Sequence, residues 1–439
     1  MLNPQSVIAE IVRLAAGKKI WLAYSGGVDS HVLLHLLATS NIASESADFE
    51  VVHINHGLQA ASNKWAEHCA TVCAELKLNF HCLNVHVDDI ATLGLEAAAR
   101  KARYEGIASL VSPDDVVLTA QHQHDQAETL LLQLLRGAGP KGLSAMASQS
   151  QLAAMTLIRP LLAVAQADIV AYANQHKLHW IEDPSNVETR WNRNYIRHKL
   201  WPLIEQRWPS AAKTLSRSAQ HCAEASELMV ELAQQDLSLL QTFQNSLSIT
   251  ALLLLSPARQ RNVLRFYIEL QQFSLPSTTV LQKVIDEVCL AASDKTPLVS
   301  WAGVEVRRYQ DDLYIMSPLS GHNPTIIGQC NGLEPVKLGS GDTLTWQAAL
   351  GQGLSSNTVS CALRIQFRVG GEQIVLAGQL QHKTLKHLFQ QWQVPTWQRD
   401  RIPLIFCGDE LVAVVGYAYA NGYIATGQEP GFIPTLLKR

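Results

Sequence analysis

Tyr24-Ser25-Gly26-Gly27-Val28-Asp29-Ser30 is the stretch that decides the fold. The apolar run Ile20-Trp21-Leu22-Ala23 leads into it, and Val32, Leu33, Leu34, Leu36 and Leu37 follow in a helical pattern. Strand, glycine turn and helix are therefore predicted in that order. Paired glycines remove side chains where backbone must approach an anion closely. The N-terminus of the next helix adds unpaired N–H groups and a partial positive charge. Ser25 and Ser30 add hydroxyl donors. An acid among phosphate donors, Asp29, makes sense if a divalent cation such as Mg²⁺ bridges it to the ligand. The segment reads as a cradle for the pyrophosphate of ATP, formed by Ala23, Ser25, Gly26, Gly27, Val28, Asp29 and Ser30. A plain strand-to-helix turn with a serine cap is the alternative, and the six-residue S-G-G-V-D-S in this context favours the cradle.

Two commoner phosphate loops are absent here. There is no G-x-x-x-x-G-K-[ST], and this turn has no G-x-G-x-x-G. With 439 residues, 47% of them hydrophobic and 17% charged, two to three globular domains are expected. The net charge of −3 means that a basic surface must be local. The N-terminal residues lack the basic and apolar regions of a signal peptide, and no apolar run approaches the ~20 residues of a membrane span, so a cytoplasmic protein is expected. Eight scattered cysteines without a Cys-x-x-Cys read as reduced thiols.

Strands and helices alternate through the first half. Strands are predicted at Phe49 to Asn55, Phe80 to Val87 and Val116 to Ala120, and helices at Asn63 to Leu76, Glu96 to Leu110 and Gln126 to Leu135. This pattern implies an α/β fold, a doubly wound, mostly parallel sheet covered on both faces. Ligands of such sheets bind beyond the carboxyl ends of the strands, so Ser25, Asn55 and Gln121 are expected in one crevice. Asn55 accordingly joins the ATP-binding set. Domain boundaries are expected at 1–207, a catalytic domain; 208–319, a mostly helical domain; 320–360, a connector that is hard to assign; and 361–439, a small α+β domain. In the last, Lys383-Thr384-Leu385 is expected to start a helix, and Gly408-Asp409 to turn a hairpin.

Further constellations carry chemistry. In His122-Gln123-His124-Asp125-Gln126-Ala127-Glu128, the acids Asp125 and Glu128 share one face of a helix start. Plain capping is one reading; binding of a cationic amine, with His122 or His124 nearby, is the other. Arg190, Arg193, Arg197 and Lys199 stand beside Trp191, Tyr195 and Trp201, a mixture suited to phosphate neutralisation and base stacking or to a solvated helix. Arg100, Lys101 and Arg103 share a helix, as surface charge or as an arginine that stabilises a phosphoryl group.

The loop resembles that of the ATP-pyrophosphatase superfamily. In order, S-G-G-V-D-S, His53 to Leu58, E-A-A-A-R-x-x-R-Y, H-x-x-D-Q-A-E-T, R-G-A-G-P-K-G-L, R-P-L, E-D-P-S-N and R-N-Y-I-R-H resemble the tRNA(Ile)-lysidine synthase family. Phe367 to Gly371, Lys383 to Lys386 and Val394 to Leu404 extend the resemblance to the last domain. It implies an adenine-nucleotide α-hydrolase-like core and a ligase. The O2 of the wobble cytidine of a CAU-anticodon isoleucine tRNA attacks the α-phosphate of ATP, and lysine then displaces AMP from the base. On this resemblance Asp29, Arg103 and Arg197 are catalytic, with Arg100 competing for the role of Arg103. Asp29 holds Mg²⁺, Asp125 and Glu128 hold L-lysine, and Arg193, Lys383, Lys386, Arg399 and Arg401 contact tRNA. A homodimer is left open. Many relatives carry a second acid where this chain has His124. A tRNA thiolase is the nearest rival, and no cysteine adjoins the crevice motifs; an amidotransferase and a non-catalytic tRNA-binding protein are further rivals.

Asp29→Asn is expected to lower AMP formation by at least ~100-fold while tRNA binding persists. Nucleotide-release and filter-binding assays check this, and a fully active variant contradicts the cation-binding role.

Overall fold

The computed structural model describes residues 2–40, 49–152, 155–242, 245–292, 295–321, 327–330, 332–338 and 341–437. The chain forms two compact units, Met1–Glu231 and Leu232–Arg439.

The first unit is built on a six-stranded sheet in the order β3-β2-β1-β4-β6-β5. Its strands are β1 (Ile20–Ala23), β2 (Phe49–Asn55), β3 (Asn79–Asn84), β4 (Val116–Leu118), β5 (Gln149–Leu152) and β6 (Met155–Ile158). All neighbours pair in parallel except β5 and β6. The helices are α1 (Pro4–Ala15), α2 (Val28–Ala38), α3 (Ser62–Glu75), α4 (Leu95–Leu110), α5 (Gln123–Leu135) and α6 (Gln166–Gln175). The chain moves outward from β1 to β3 and then returns to β4 on the other side of β1. This reversal opens a crevice at the carboxyl ends of β1 and β4. Buried Leu22, Val32, Leu36, Val51, Leu118 and Ile158 belong to one core cluster that fixes α2 on the sheet. Trp21, Val52, Ile107 and Val117 belong to a second cluster beneath α4.

Two differences from the sequence reading bear on the site. Helix α5 starts three residues earlier than its apolar pattern suggests, because His122 caps it: His122 Nδ1 accepts the His124 amide, while Asp125 Oδ2 accepts the His122 amide. The β5–β6 hairpin was not anticipated. Beyond α6, helical residues 192–195 run into a π-helical turn, Ile196–Leu200, and then into Trp201–Arg207.

The second unit starts within α8 (Ala211–Leu240). Residues 298–316 form β8 (Leu298–Trp301), β9 (Val304–Tyr309) and β10 (Asp312–Met316), which join β7 (Leu247–Ser248) in an antiparallel sheet. Of the connector, residues 322–326 and 331 lie outside the described residues, as do 339 and 340. The unassigned stretch that follows holds β11 (Thr343–Leu350), paired along its whole length with β14 (Pro430–Leu437). The hairpin at Gly408-Asp409 is present, as β12 (Leu404–Cys407) and β13 (Glu410–Val414). Lys383 is not helical. It pairs with Ile374 in a short hairpin, and the helix Leu385–Gln391 starts only after Thr384 caps it by accepting the His387 amide. All eight cysteines are unpaired, and among the described residues no helix is long and apolar enough to cross a membrane.

The buried face of α2 carries a titratable group. His31 is 5% exposed, and its Nδ1 lies 3.0 Å from the Tyr24 hydroxyl. Burial pushes its imidazole down to about 4, with His68, His35 and His179 repelling the charged form. The native state therefore favours the neutral ring. Stability is full above pH 6.5 and falls as the pH drops from 6.5 towards 4, by at most about 3 kcal/mol. Scanning calorimetry between pH 7.5 and 4.5 is expected to show a steeper fall in Tm for wild type than for His31→Gln; equal slopes contradict the assignment.

Candidate active site

The turn after β1 is shaped by its first glycine. Gly26 has φ +83°, and a Cβ there would lie 2.5 Å from Ile181 Cδ1 and 3.0 Å from Cys69 Sγ. Its carbonyl accepts the Ile181 amide at 2.9 Å. Gly27 is the N-cap of α2 and has no side chain to cap it, so the first-turn amides face outward for an anion. Ser30 Oγ donates to the Gly27 carbonyl (3.0 Å), accepts the Ser25 amide (3.2 Å) and meets Ser25 Oγ at 3.0 Å. These bonds hold the turn open before any ligand binds.

The turn opens into a cavity of about 480 Å³. Of the residues expected from the sequence, Ala23, Ser25, Gly27, Asp29, Ser30, Asn55, Arg103, Asp125 and Arg193 line it, together with Arg100 and Gln121. Ser25, Asn55 and Gln121 do meet there. Gly26, Val28, Glu128 and Arg197 lie behind this lining. The Asn55 amide is engaged in shaping its own loop, donating to Asn63 Oδ1 and accepting the Gly57 amide. Lys383, Lys386, Arg399 and Arg401 belong to the second unit. There Arg399 donates to the Val394 carbonyl and the Tyr309 hydroxyl, and Arg401 to the Ser320 carbonyl, whereas Lys386 is exposed.

Electrostatics divides the cavity wall. Arg103 lines the same cavity as the turn and has no carboxylate partner among the described residues. Burial pushes its pKa down, as does Arg100, with Tyr104 opposing them; the guanidinium stays charged at neutral pH. A cation without a counter-ion attracts an arriving anion. Burial pushes Asp29 up, and Asp125 pushes the same way, while His122 and Arg197 pull it down. Asp29 Oδ1 is buried without a hydrogen-bond partner. Such an orphaned oxygen fits a divalent cation completed by phosphate oxygens. Among the described residues no cluster of three or more His, Cys, Asp or Glu could hold a metal by itself.

Asp125 and Glu128 are not vacant. Arg193 Nε donates to Glu128 Oε2 (2.8 Å), and Arg197 Nε to Glu128 Oε1 (2.7 Å); both arginines also donate to Asp125 Oδ1, at 2.9 and 3.1 Å. Burial alone would raise Asp125, but His122, Arg193, the His122 amide and Arg197 hold it below the usual carboxylate range. Burial opposes the charge on Arg197, and Glu128, Asp125 and Asp29 outweigh it.

Three further residues gain roles that their motifs did not disclose. His122 is 2% exposed; because Nδ1 accepts an amide, its proton sits on Nε2, 3.6 Å from Asp29 Oδ2 and 3.5 Å from Asp125 Oδ2. His56 lines the cavity with both ring nitrogens buried and unpartnered. Burial pushes it down to about 4, helped by Arg103 and His53, so it is neutral at pH 7. Gln126 pins the glycine-rich loop by donating to the Met146 carbonyl (2.8 Å) and accepting the Met146 amide (2.9 Å). Their capping, burial and amide chemistry were the only available signals. His124, which replaces an acid, packs edge-on against Trp201 instead of lining the cavity.

Comparison with known proteins agrees with this geometry. Residues 2–204 match a PP-loop domain, 247–314 a TilS substrate binding domain and 363–434 a TilS substrate C-terminal domain. The chain is 43% identical to a tRNA(Ile)-lysidine synthase of Coxiella burnetii over 434 residues, 98% of this chain and 96% of that one. It is 38% identical to one of Legionella pneumophila over 426 residues, 97% of this chain and 96% of that one. Among solved structures, a U34-tRNA thiolase of Methanococcus maripaludis covers 50% of this chain and 80% of its own, with 16% identity and a TM-score of 0.40. With its glycine turn, crevice and near full-length identity to these relatives, the chain belongs to the tRNA(Ile)-lysidine synthase family.

Proposed function

We propose that the chain ligates L-lysine to C2 of the wobble cytidine of the CAU-anticodon isoleucine tRNA, consuming ATP and releasing pyrophosphate and AMP. Its place of work is then the cytoplasm, where those substrates meet. The observation that carries this reading is an open anion turn in a cavity also lined by Arg103, which has no carboxylate partner among the described residues, in a chain 43% identical to a lysidine synthase.

In the first step the cytidine O2 attacks the α-phosphate and pyrophosphate leaves. The amides at the start of α2, with Ser25 and Ser30, hold the departing phosphates, and Arg103 offsets charge at the α-phosphate. Mg²⁺ held by Asp29 would neutralise charge on the pyrophosphate. In the second step the lysine ε-amine attacks C2 of the adenylated base and AMP leaves. Asp125 and Glu128 orient that amine, and Arg197, bonded to them in the resting chain, offsets charge at the α-phosphate once released. The enzyme works by positioning and electrostatics, because adenylation makes C2 electrophilic. Residues 208–319 and 361–439 grip the tRNA, with Lys383 and Lys386 on phosphates and Trp392 as a stacking surface. Arg399 and Arg401 must release internal acceptors to take part.

Incubation with ATP, radiolabelled lysine and an unmodified CAU isoleucine tRNA is expected to place label in the tRNA, matched by AMP release. ATP consumption without label favours a thiolase-like reaction. Glu128→Gln is expected to raise the lysine KM at least about tenfold and the ATP KM far less; equal changes remove the amine-site assignment.

A further inference from the structure

Asp125 and Glu128 project from one face of α5, three residues apart, and two side chains already occupy them. Arg193 and Arg197, four residues apart on the 192–207 segment, together make five bonds of 2.7–3.1 Å to these carboxylates. Charge-assisted bonds of this length are strong. The quartet has two acids and two guanidiniums, so its net charge is zero. Glu128 is 2% exposed, so the charge balance of this cluster is weakly screened by solvent. An ammonium added to the intact quartet would bring a third cation to two anions. Such an uncompensated buried charge is strongly disfavoured.

The quartet reaches the cavity of the glycine turn through Asp125 and Arg193. Asp125 and Arg193 line the same cavity as Ser25 and Asp29, and Arg197 lies within electrostatic reach of Asp29. A triphosphate in that turn adds several negative charges to the cavity that Arg193 lines and to the field that Arg197 already shares with Asp29, and planar guanidinium donors match phosphate oxygens well. The backbone that carries Arg197 is the π-helical turn Ile196–Leu200, whereas Arg193 lies before it. Such turns are local departures from the α-helical ladder and occur often at functional sites.

Resting on the reading that Asp125 and Glu128 receive the lysine ε-ammonium, we propose that Arg197 occupies the amine subsite of the resting enzyme and that nucleotide draws it off. Lysine then takes the vacated carboxylate oxygens. The exchange conserves charge at both positions: a guanidinium pairs with phosphate, and an ammonium replaces it beside Glu128. Lysine binding is therefore coupled to nucleotide binding, and the enzyme does not hold the amine in a site that lacks its activating partner. By linkage, nucleotide and lysine strengthen each other's binding by the same factor.

Equilibrium dialysis of radiolabelled lysine against the full chain, with and without α,β-methylene ATP and Mg²⁺, tests this without any variant. The expected result is lysine binding about 5- to 150-fold tighter with the analogue, and analogue binding tighter by the same factor with lysine. In Arg197→Gln, lysine is expected to bind without nucleotide, with the coupling factor falling towards one. Equal lysine affinity with and without analogue in wild type, or full coupling in Arg197→Gln, overturns the proposal. If the analogue binds but lysine does not, even with tRNA present, the amine-site reading itself fails and the proposal with it.

Discussion

Gly26 stands in a left-handed conformation with its carbonyl on the Ile181 amide, and Ile181 and Cys69 leave no room for a Cβ. That packing sets where β1 ends and α2 begins. Because Gly27 brings no capping side chain, the α2 amides remain available. The core beneath, from Leu22 through Val32 and Leu36 to Leu118, fixes the direction of α2. A turn bonded to a segment more than 150 residues away is held by tertiary structure, so anion donors are preorganised before the ligand arrives.

Charge around the cavity follows from that placement. On one wall Arg103 lines the cavity without a counter-ion among the described residues, which favours an anionic ligand. On the other, Asp125 and Glu128 are neutralised by Arg193 and Arg197. Between them Asp29 carries an unpartnered oxygen, and His122 faces both Asp29 and Asp125. On the proposed reading, phosphate, cation and amine sites thus lie together between α2 and α5. An activated base and an incoming amine need this proximity for transfer between them.

Much of this was legible locally. Apolar runs bounded by glycines or polar caps mark β1, β2 and β4, and S-G-G-V-D-S marks the turn. The β5 strand was not legible, because Gln149-Ser150-Gln151-Leu152 is a polar edge segment without an apolar alternation. Nor was β11, whose stability comes from pairing with a strand some 80 residues later and of whose own residues only Leu344 is buried. At the site the acids and arginines were each visible, but their mutual pairing was not. Two acids three apart and two arginines four apart are a matching pattern across helices, and that spacing was the available signal. The engagement of Asn55, Arg399 and Arg401 with internal acceptors depends on loop geometry and has no signature in composition.

The most direct test of the account is a crystal structure of the full chain with α,β-methylene ATP. The account predicts the terminal phosphates on the amides that follow Gly26, with the Arg103 guanidinium directed at the α-phosphate. A turn left empty, with the triphosphate lodged elsewhere, would contradict it.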